Sequence, residues 1–311
     1  MLSRKWEVFA HFPLSTQHSA LSTAFWPLVV VEETAALRKL EEALAEHYGW
    51  ATSPSARAKV SVAIARKAGR LHIPPDEYCK HAAASQSEML ALVEEAAVGE
   101  TYFFREPEQF NYLRTEVLPA LIASPPADHR LRLWSAACST GEEAYSLAIT
   151  FDQVKPPRSE TQAEIFATDV RNRALLEASR ARYHIPSLRM VSAKLRARYF
   201  EHTGGTPDAP LNGRYTVIPD VRRLVTFRRV NLMDGVFWKG ISNRFDLIFC
   251  SNLLLYLHSA AVRQMVERLS RSLREGGHLV VAPSEASLVE HSRLKPVKDC
   301  ASFFRRLPSA K

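Results

Sequence analysis

The run Cys138-Ser-Thr-Gly-Glu-Glu143 sets two acids side by side where a strand gives way to a helix. The apolar stretch Leu131 to Ala137 predicts the strand, and the stretch from about Glu143 to Phe151 predicts the helix. A helix N-terminus attracts anions through its unpaired N–H groups and its dipole. Glu142 and Glu143 place negative charge at that same point, so a pyrophosphate is repelled and an ammonium or sulfonium is drawn in. The turn holds one glycine, Gly141, and lacks the three-glycine pattern of a dinucleotide site. The chemistry implied is recognition of a cationic, phosphate-free cofactor, and S-adenosylmethionine meets both conditions.

Other candidates follow later strands. Asp169 closes Ala167-Thr-Asp169 at the end of the predicted strand Glu164 to Val170. An acid there can bond both hydroxyls of a ribose, and it can equally cap the next helix. Asn231-Leu232 and Cys250-Ser251-Asn252, the latter with Tyr256 beyond it, bring amides to two further strand ends. An amide suits an adenine edge or an amino-acid head group, and equally a loop that satisfies its own backbone. Upstream, Thr101-Tyr-Phe-Phe-Arg-Glu106 joins three aromatic residues to Arg105, either as packing or as cover and charge for a site. No Ser/His/Asp or Cys/His grouping suggests an activated nucleophile.

The elements that must hold these residues alternate. After the break at Ser124-Pro-Pro-Ala-Asp-His129, strands are also predicted over Phe245 to Cys250, His278 to Ala282 and 300–306. Helices are predicted to about Arg182 and over Val262 to Leu273, the latter ended by Gly276-Gly277. This is the pattern of a parallel, doubly wound α/β sheet, whose ligands lie at the C-terminal strand ends. From about Arg198 to Val230 the alternation lapses. The β-like runs Tyr215 to Ile218 and Leu224 to Val230, after the loop Gly204 to Gly213, predict a small antiparallel insertion.

Ahead of the sheet, helical spacing of Leu37, Leu40 and Leu44, then of Val60, Ile64 and Leu71, begins a small bundle. Shorter helices near 75–83 and 87–97 complete it. Between Arg57 and Arg70 the second helix carries five basic residues and no acid. Lys59, Arg66 and Arg70 return to one face, which suits a docking stripe or an ordinary solvated face. The division is therefore an extension over 1–31, a helical domain over 32–100, a linker reaching the site over 101–129, and a sheet domain over 130–307 with 195–230 inserted.

The composition sets limits. With 311 residues and 46% hydrophobic content, the chain can bury one large core and one small one. The net charge of +8 favours an acidic partner without choosing among nucleic acid, anionic membrane and acidic protein. The four cysteines form no C-x-x-C pair and no zinc spacing, so free thiols in a reducing cytoplasm and no metal are expected. No secretory signal is readable. The longest apolar run, Ala24 to Val31, is eight residues with Pro27 inside it, too short for membrane insertion.

Taken in order, Thr101-Tyr-Phe-Phe-Arg-Glu106, Trp134-Ser-Ala-Ala-Cys-Ser-Thr-Gly-Glu-Glu-Ala-Tyr-Ser146, Ala167-Thr-Asp169, Val230-Asn-Leu232, Phe249-Cys-Ser-Asn-Leu-Leu-Leu-Tyr256 and Ser284-Glu285 closely resemble the chemotaxis receptor glutamate methyltransferase family, CheR-type. The likeness covers about residues 32–307. It implies an S-adenosylmethionine-dependent methyltransferase sheet with a small antiparallel β-subdomain and an N-terminal helical bundle. It implies S-adenosylmethionine as methyl donor, S-adenosylhomocysteine as product, and receptor glutamates as acceptors. Thr101, Arg105, Glu143, Asp169, Asn231, Leu232, Cys250 and Ser251 become cofactor contacts, with Gly141, Glu142 and Asn252 in the same turns. Arg105 and Tyr256 face the transferring methyl, and Lys59, Arg66 and Arg70 become receptor-docking residues. A monomer acting on a methyl-accepting receptor, with no nucleic acid partner, is expected.

Three departures stand out. Gly99 replaces a usual Asn, Ser251 a usual Arg, and Ala282-Pro-Ser-Glu285 a usual Gly-His-Ser-Glu. Gly99 and Ser251 leave open a catalytically weakened cofactor-binding regulator, and the basic charge leaves open a methyltransferase for a non-receptor substrate. For a glutamate acceptor no base is needed, since a carboxyl with an ordinary pKa of about 4.3 is ionised at neutral pH. What the protein must supply is alignment of oxygen, methyl and sulfur.

Overall fold

The structure, a computed structural model, describes residues 33–97, 100–204 and 213–308. The expected extension 1–31, Gly99 and the interior of the loop Gly204 to Gly213 lie outside the described residues. The chain divides into two compact units, Met1–Val98 and Gly99–Lys311.

The first unit holds α1 (Ala35–Tyr48), α2 (Pro54–Leu71), α3 (Pro75–Ala83) and α4 (Gln86–Ala96). Thr34, Ser53 and Ser85 each accept a backbone N–H with the side chain and so start α1, α2 and α4. Gly49, at φ 66°, ends α1 in the left-handed conformation that glycine tolerates best. Leu40, Leu44, Ile64 and Leu92 are fully buried. Leu71, expected beside Val60 and Ile64, is instead 51% exposed. It is the last residue of α2, and His72 at φ 55° turns the chain off the helix there.

The second unit is built on a seven-stranded sheet. In chain order its strands are β1 (Arg130–Ala136), β2 (Gln162–Asp169), β6 (Val225–Arg229), β7 (Phe245–Phe249), β8 (Leu273–Val280), β9 (Leu294–Val297) and β10 (Cys300–Arg306). They lie in the order β6-β2-β1-β7-β8-β10-β9, and β10 runs against both its neighbours. The order reverses between β1 and β7, the point where such sheets open a ligand crevice. Three more strands, β3 (Arg182–His184), β4 (Phe200–Thr203) and β5 (Arg214–Val217), form a separate antiparallel sheet in the order β3-β5-β4.

The helices are α5 (Pro107–Tyr112) and α6 (Leu118–Ala123), joined by a π-helical turn at Leu113–Val117, then α7 (Glu142–Val154), α8 (Asn172–Arg180), α9 (Ala193–Tyr199), α10 (Pro219–Arg222) and α11 (Ser259–Ser272). Apolar side chains pack on both faces of the main sheet. Tyr145, Leu147, Phe249 and Phe303 belong to one face and Trp134, Ile248, Met265 and Leu269 to the other.

The insertion differs from its expected bounds at both ends. Leu224 to Val230 does not pair within the small sheet, because β6 lies parallel to β2, Ile165 opposite Val225 through Asp169 opposite Arg229. Phe227 packs edge-on to Tyr145 of α7, so the residues that looked like an antiparallel run serve the main core. Conversely, α8 stops at Arg180, and Arg182–His184, expected at a helix end, pairs with β5. Ala181 at φ 53° makes the break. Gly276 and Gly277 lie within β8 rather than after a helix: α11 has already ended at Ser272, and a Cβ on Gly277 would sit 3.0 Å from the Asp246 carbonyl of the neighbouring strand.

Candidate active site

The turn between β1 and α7 is wound through left-handed residues at Ala137 (φ 63°), Ser139 (φ 54°) and Gly141 (φ 94°). Such a path costs non-glycine residues roughly 1 kcal/mol or more each and needs outside support. The support is local. Cys138 N donates to the Thr168 carbonyl at 2.8 Å, and Ser139 N to Asp169 Oδ2 at 2.8 Å. At Gly141 no side chain fits, since a Cβ would lie 2.8 Å from the Ala178 Cβ and 3.0 Å from the Tyr183 hydroxyl. Tyr183 donates that hydroxyl to the Thr140 carbonyl at 2.8 Å, so the small sheet props the turn directly.

Asp169 is nearly fully buried at the end of β2. It does not cap α8, whose N-cap residue is Arg171. Instead Oδ1 accepts Arg171 N at 2.9 Å and Arg171 Nε at 3.1 Å, and Oδ2 accepts Ser139 N. A carboxylate has about four acceptor sites, so with Arg171 in this position room remains for one ribose hydroxyl.

Glu143 faces the strand ends. Ser135 donates its hydroxyl to Glu143 Oε1 at 2.7 Å. Burial pushes the Glu143 carboxyl up to about 7; the Ser135 and Ser251 hydroxyls and the Arg105 charge pull it down, and the nearby Glu285 pushes it further up. The Ser251 hydroxyl, buried beside this carboxylate, meets no partner of full hydrogen-bonding geometry. A carboxyl held part-protonated and an orphaned hydroxyl are what a cofactor with an ammonium and a sulfonium would complete, so the residues present fit S-adenosylmethionine.

A pH dependence follows. Raising the pKa means that folding disfavours ionised Glu143, so its contribution to stability is greatest at low pH and is lost as pH rises toward 7. A bound cation reverses the preference. S-adenosylmethionine should therefore bind about tenfold more weakly at pH 6 than at pH 8. Calorimetry checks this, and Glu143→Gln should flatten the dependence. A pH-independent affinity in the parent protein would remove Glu143 from cation recognition.

Arg105 lies half-buried just before α5 and donates Nη1 to the Glu100 carbonyl at 2.6 Å. Phe104 before it is left-handed (φ 55°), and its N–H is held by the Ser146 hydroxyl at 3.0 Å. The segment is anchored from below by Phe110, stacked on Phe249 at 5.5 Å, and by Gln109, which donates to the Val281 carbonyl at 2.7 Å. Thr101 is half-buried, and the neighbouring Tyr102 ring lies 3.3 Å beneath the Arg189 guanidinium.

At the end of β6, Asn231 Oδ1 accepts Met233 N at 3.0 Å and fixes the next turn. The Leu232 carbonyl accepts Trp238 Nε1 at 2.9 Å and Arg268 Nη1 at 3.0 Å. After β7, the thiol of Cys250 is fully buried and pushed well up by that burial, so what it offers a ligand is backbone. Asn252 is left-handed (φ 62°), and Tyr256 sits half-buried on the 3-10 turn Leu254–Tyr256.

Glu142, expected among the cofactor contacts, gives both carboxylate oxygens to protein hydroxyls. Its Oε2 accepts the Thr140 hydroxyl at 2.6 Å and its Oε1 the Ser187 hydroxyl at 3.1 Å. Residues not singled out in the sequence hold the site together: Ser135, Ser146, Arg171, Ser187, Trp238 and Arg268. Their available signal was a polar side chain in an apolar stretch, which Ser135 and Ser146 show. In the separate N-terminal unit, Arg66 and Arg70 are exposed, and both pair with Glu95 of α4, at 3.6 and 3.1 Å. Among the described residues no cluster of three His, Cys, Asp or Glu is placed to hold a metal, and no helix is long and apolar enough to cross a membrane.

A doubly wound sheet of this order, with an acid-rich turn after β1 and an acid closing β2, is that of an S-adenosylmethionine-dependent methyltransferase. A profile of the CheR methyltransferase SAM-binding domain matches residues 99–302, and the chain belongs to the CheR methyltransferase family. It is 34% identical over 216 residues to a probable chemotaxis protein methyltransferase of Rhizobium etli, covering 67% of this chain and 76% of that one. It is 34% identical over 209 residues to chemotaxis protein methyltransferase 1 of Pseudomonas aeruginosa, covering 65% and 72%. A probable biofilm formation methyltransferase of Pseudomonas aeruginosa, WspC, is 33% identical over 277 residues, covering 88% of this chain and 62% of that protein.

Proposed function

We propose that the protein transfers a methyl group to glutamate side chains of a chemotaxis-type receptor, forming methyl esters. The observation that carries this is the Glu143 carboxylate at the strand ends, which takes the Ser135 hydroxyl at 2.7 Å. Glu143 faces a cofactor cation, and Arg105, whose charge pulls the Glu143 pKa down, is available to an incoming carboxylate. S-adenosylmethionine, when bound, supplies the methyl on a sulfonium. Glu143 and Ser251 hold its cationic end, Asp169 accepts a ribose hydroxyl, and the Asn231-Leu232 turn offers backbone to the base. Arg105 orients the acceptor carboxylate, and Tyr256 is assigned to direct a hydroxyl to it. The reaction joins a cation to an anion and leaves neutral products, so the aromatic cover from Tyr102 to Phe104 aids it by excluding water.

The test is transfer of labelled methyl from S-adenosylmethionine to the organism's own receptors. Label should be released as methanol in mild alkali and should vanish when the target glutamates are replaced. Alkali-stable label would indicate methylation of nitrogen and overturn the reading.

Charge supports an acidic protein partner. Residues 171–229 contain thirteen Lys and Arg against four Asp and Glu, an excess larger than the +8 of the whole chain. Arg173 in the first turn of α8, and Arg228 and Arg229 at the end of β6, stand exposed where the strands end. Exposed charges are screened beyond about 8–10 Å at physiological salt. Raising salt from about 0.05 to 0.5 M should thus raise KM for a receptor fragment by on the order of tenfold, with kcat little changed. A salt-independent KM would count against charge-guided docking. Lys59, Arg66 and Arg70 are proposed as a second contact on the helical unit, with Glu95 bearing part of the charge of the two arginines.

A further inference from the structure

Glu142 and Glu143 are consecutive, and in a helix consecutive side chains diverge by about 100°. Glu143 faces the strand ends, whereas Glu142 is 2% exposed and points to the small sheet's side of the turn. Each of its oxygens takes one hydroxyl, Thr140 from the turn and Ser187 from the 3-10 segment Ile185–Leu188. One of the groups it holds, Ser187, in turn holds the arginine segment. The Ser187 carbonyl accepts Phe103 N at 2.9 Å. The Glu142 carbonyl accepts the Ser146 hydroxyl at 2.7 Å, and that oxygen accepts Phe104 N at 3.0 Å. The ring of Phe103 is then wedged edge-on against Tyr183 and Phe200 at 4.9 and 5.0 Å. Two successive amides, immediately before Arg105, thus rest on Glu142, that of Phe103 through the carboxylate and Ser187 and that of Phe104 through the backbone carbonyl and Ser146.

We infer that Glu142 is a positioning residue: its carboxylate clamps Ser187 so that the Phe103-Phe104 turn aims Arg105 at the acceptor carboxylate, and it does not bind the cofactor. This rests on the proposed receptor methylation for its kinetic consequence alone. A misplacement of about 1 Å in a reacting group can cost about 10²-fold in rate. The carboxylate and the Ser187 hydroxyl are the side-chain part of the clamp, so a change at either end should release Phe103.

The experiment compares full-length Glu142→Gln and Ser187→Ala with the parent and with Glu143→Gln. Three quantities are read: S-adenosylhomocysteine affinity by calorimetry, hydrogen exchange of the Phe103 and Phe104 amides, and kcat and KM on a receptor fragment. In both clamp variants the Phe103 amide should exchange at least about tenfold faster, the Phe104 amide less affected, and kcat should fall by about 10- to 100-fold, with KM and cofactor affinity within about twofold of the parent. Ser187→Ala removes one hydroxyl and keeps the carbonyl that holds Phe103, so it carries the test if Glu142→Gln does not fold. Unchanged exchange at the Phe103 amide, or cofactor affinity lost in step with Glu143→Gln, overturns the inference. If the parent protein forms no glutamyl ester, the functional reading fails, and exchange together with affinity still decides the role of Glu142.

Discussion

Replacing Arg105 by alanine is expected to lower kcat for receptor methylation by about 10²-fold, with S-adenosylhomocysteine affinity changed by no more than about threefold. One guanidinium nitrogen is tied to the Glu100 carbonyl at 2.6 Å, which fixes the side chain without neutralising it. The remaining donors meet no partner among the described residues. They form a planar fork that matches a carboxylate, which lysine cannot reproduce. A cation is repelled by the sulfonium, so the larger part of its value is expected in placing the anionic acceptor. Arg105→Lys should accordingly recover only part of the lost rate. Single-turnover kinetics with saturating cofactor separate the alternatives. A loss confined to cofactor affinity, with kcat retained, would make Arg105 a cofactor clamp.

How much of this was legible beforehand depends on the range of the interaction. The β1–α7 turn was readable because its signals are local: an apolar strand, one glycine and two acids in six residues. Phe245–Phe249 and the terminal strand were readable from apolar runs for the same reason. The β6 strand was misassigned because its partner, β2, lies more than fifty residues away, and isolated β-like residues do not state which sheet they join. The two glutamates were given one job because adjacency in sequence suggests adjacency in space, whereas a helix points them apart. The basic stripe on α2 looked free since Glu95, which pairs with Arg66 and Arg70, comes from a different helix. Ser251 was legible as a departure from its relatives, and only the fold shows its hydroxyl buried beside Glu143.

The larger effect on stability is expected at Glu285, the acid that closes the Ala282-Pro-Ser-Glu285 segment. Its carboxylate is fully buried, and burial pushes its pKa up. Backbone N–H groups oppose that rise: Asn252 N at 2.8 Å and Ala282 N at 3.1 Å on Oε2, and Leu255 N at 3.2 Å on Oε1. One side chain therefore closes the 3-10 turn Pro283–Leu288 and also fixes the loop that presents Asn252 and Tyr256. Alanine at 285 would strand at least three buried donors, each costing about 1–3 kcal/mol unmet. Partial access of water to the loop will recover some of that, so a net loss of about 3–5 kcal/mol in denaturant unfolding is expected. Glutamine keeps one carbonyl acceptor but turns an NH2 toward backbone donors, so Glu285→Gln should also destabilise, by less than alanine. A change below about 1 kcal/mol for Glu285→Ala would mean that the loop finds other acceptors and that Asn252 and Tyr256 are placed without it.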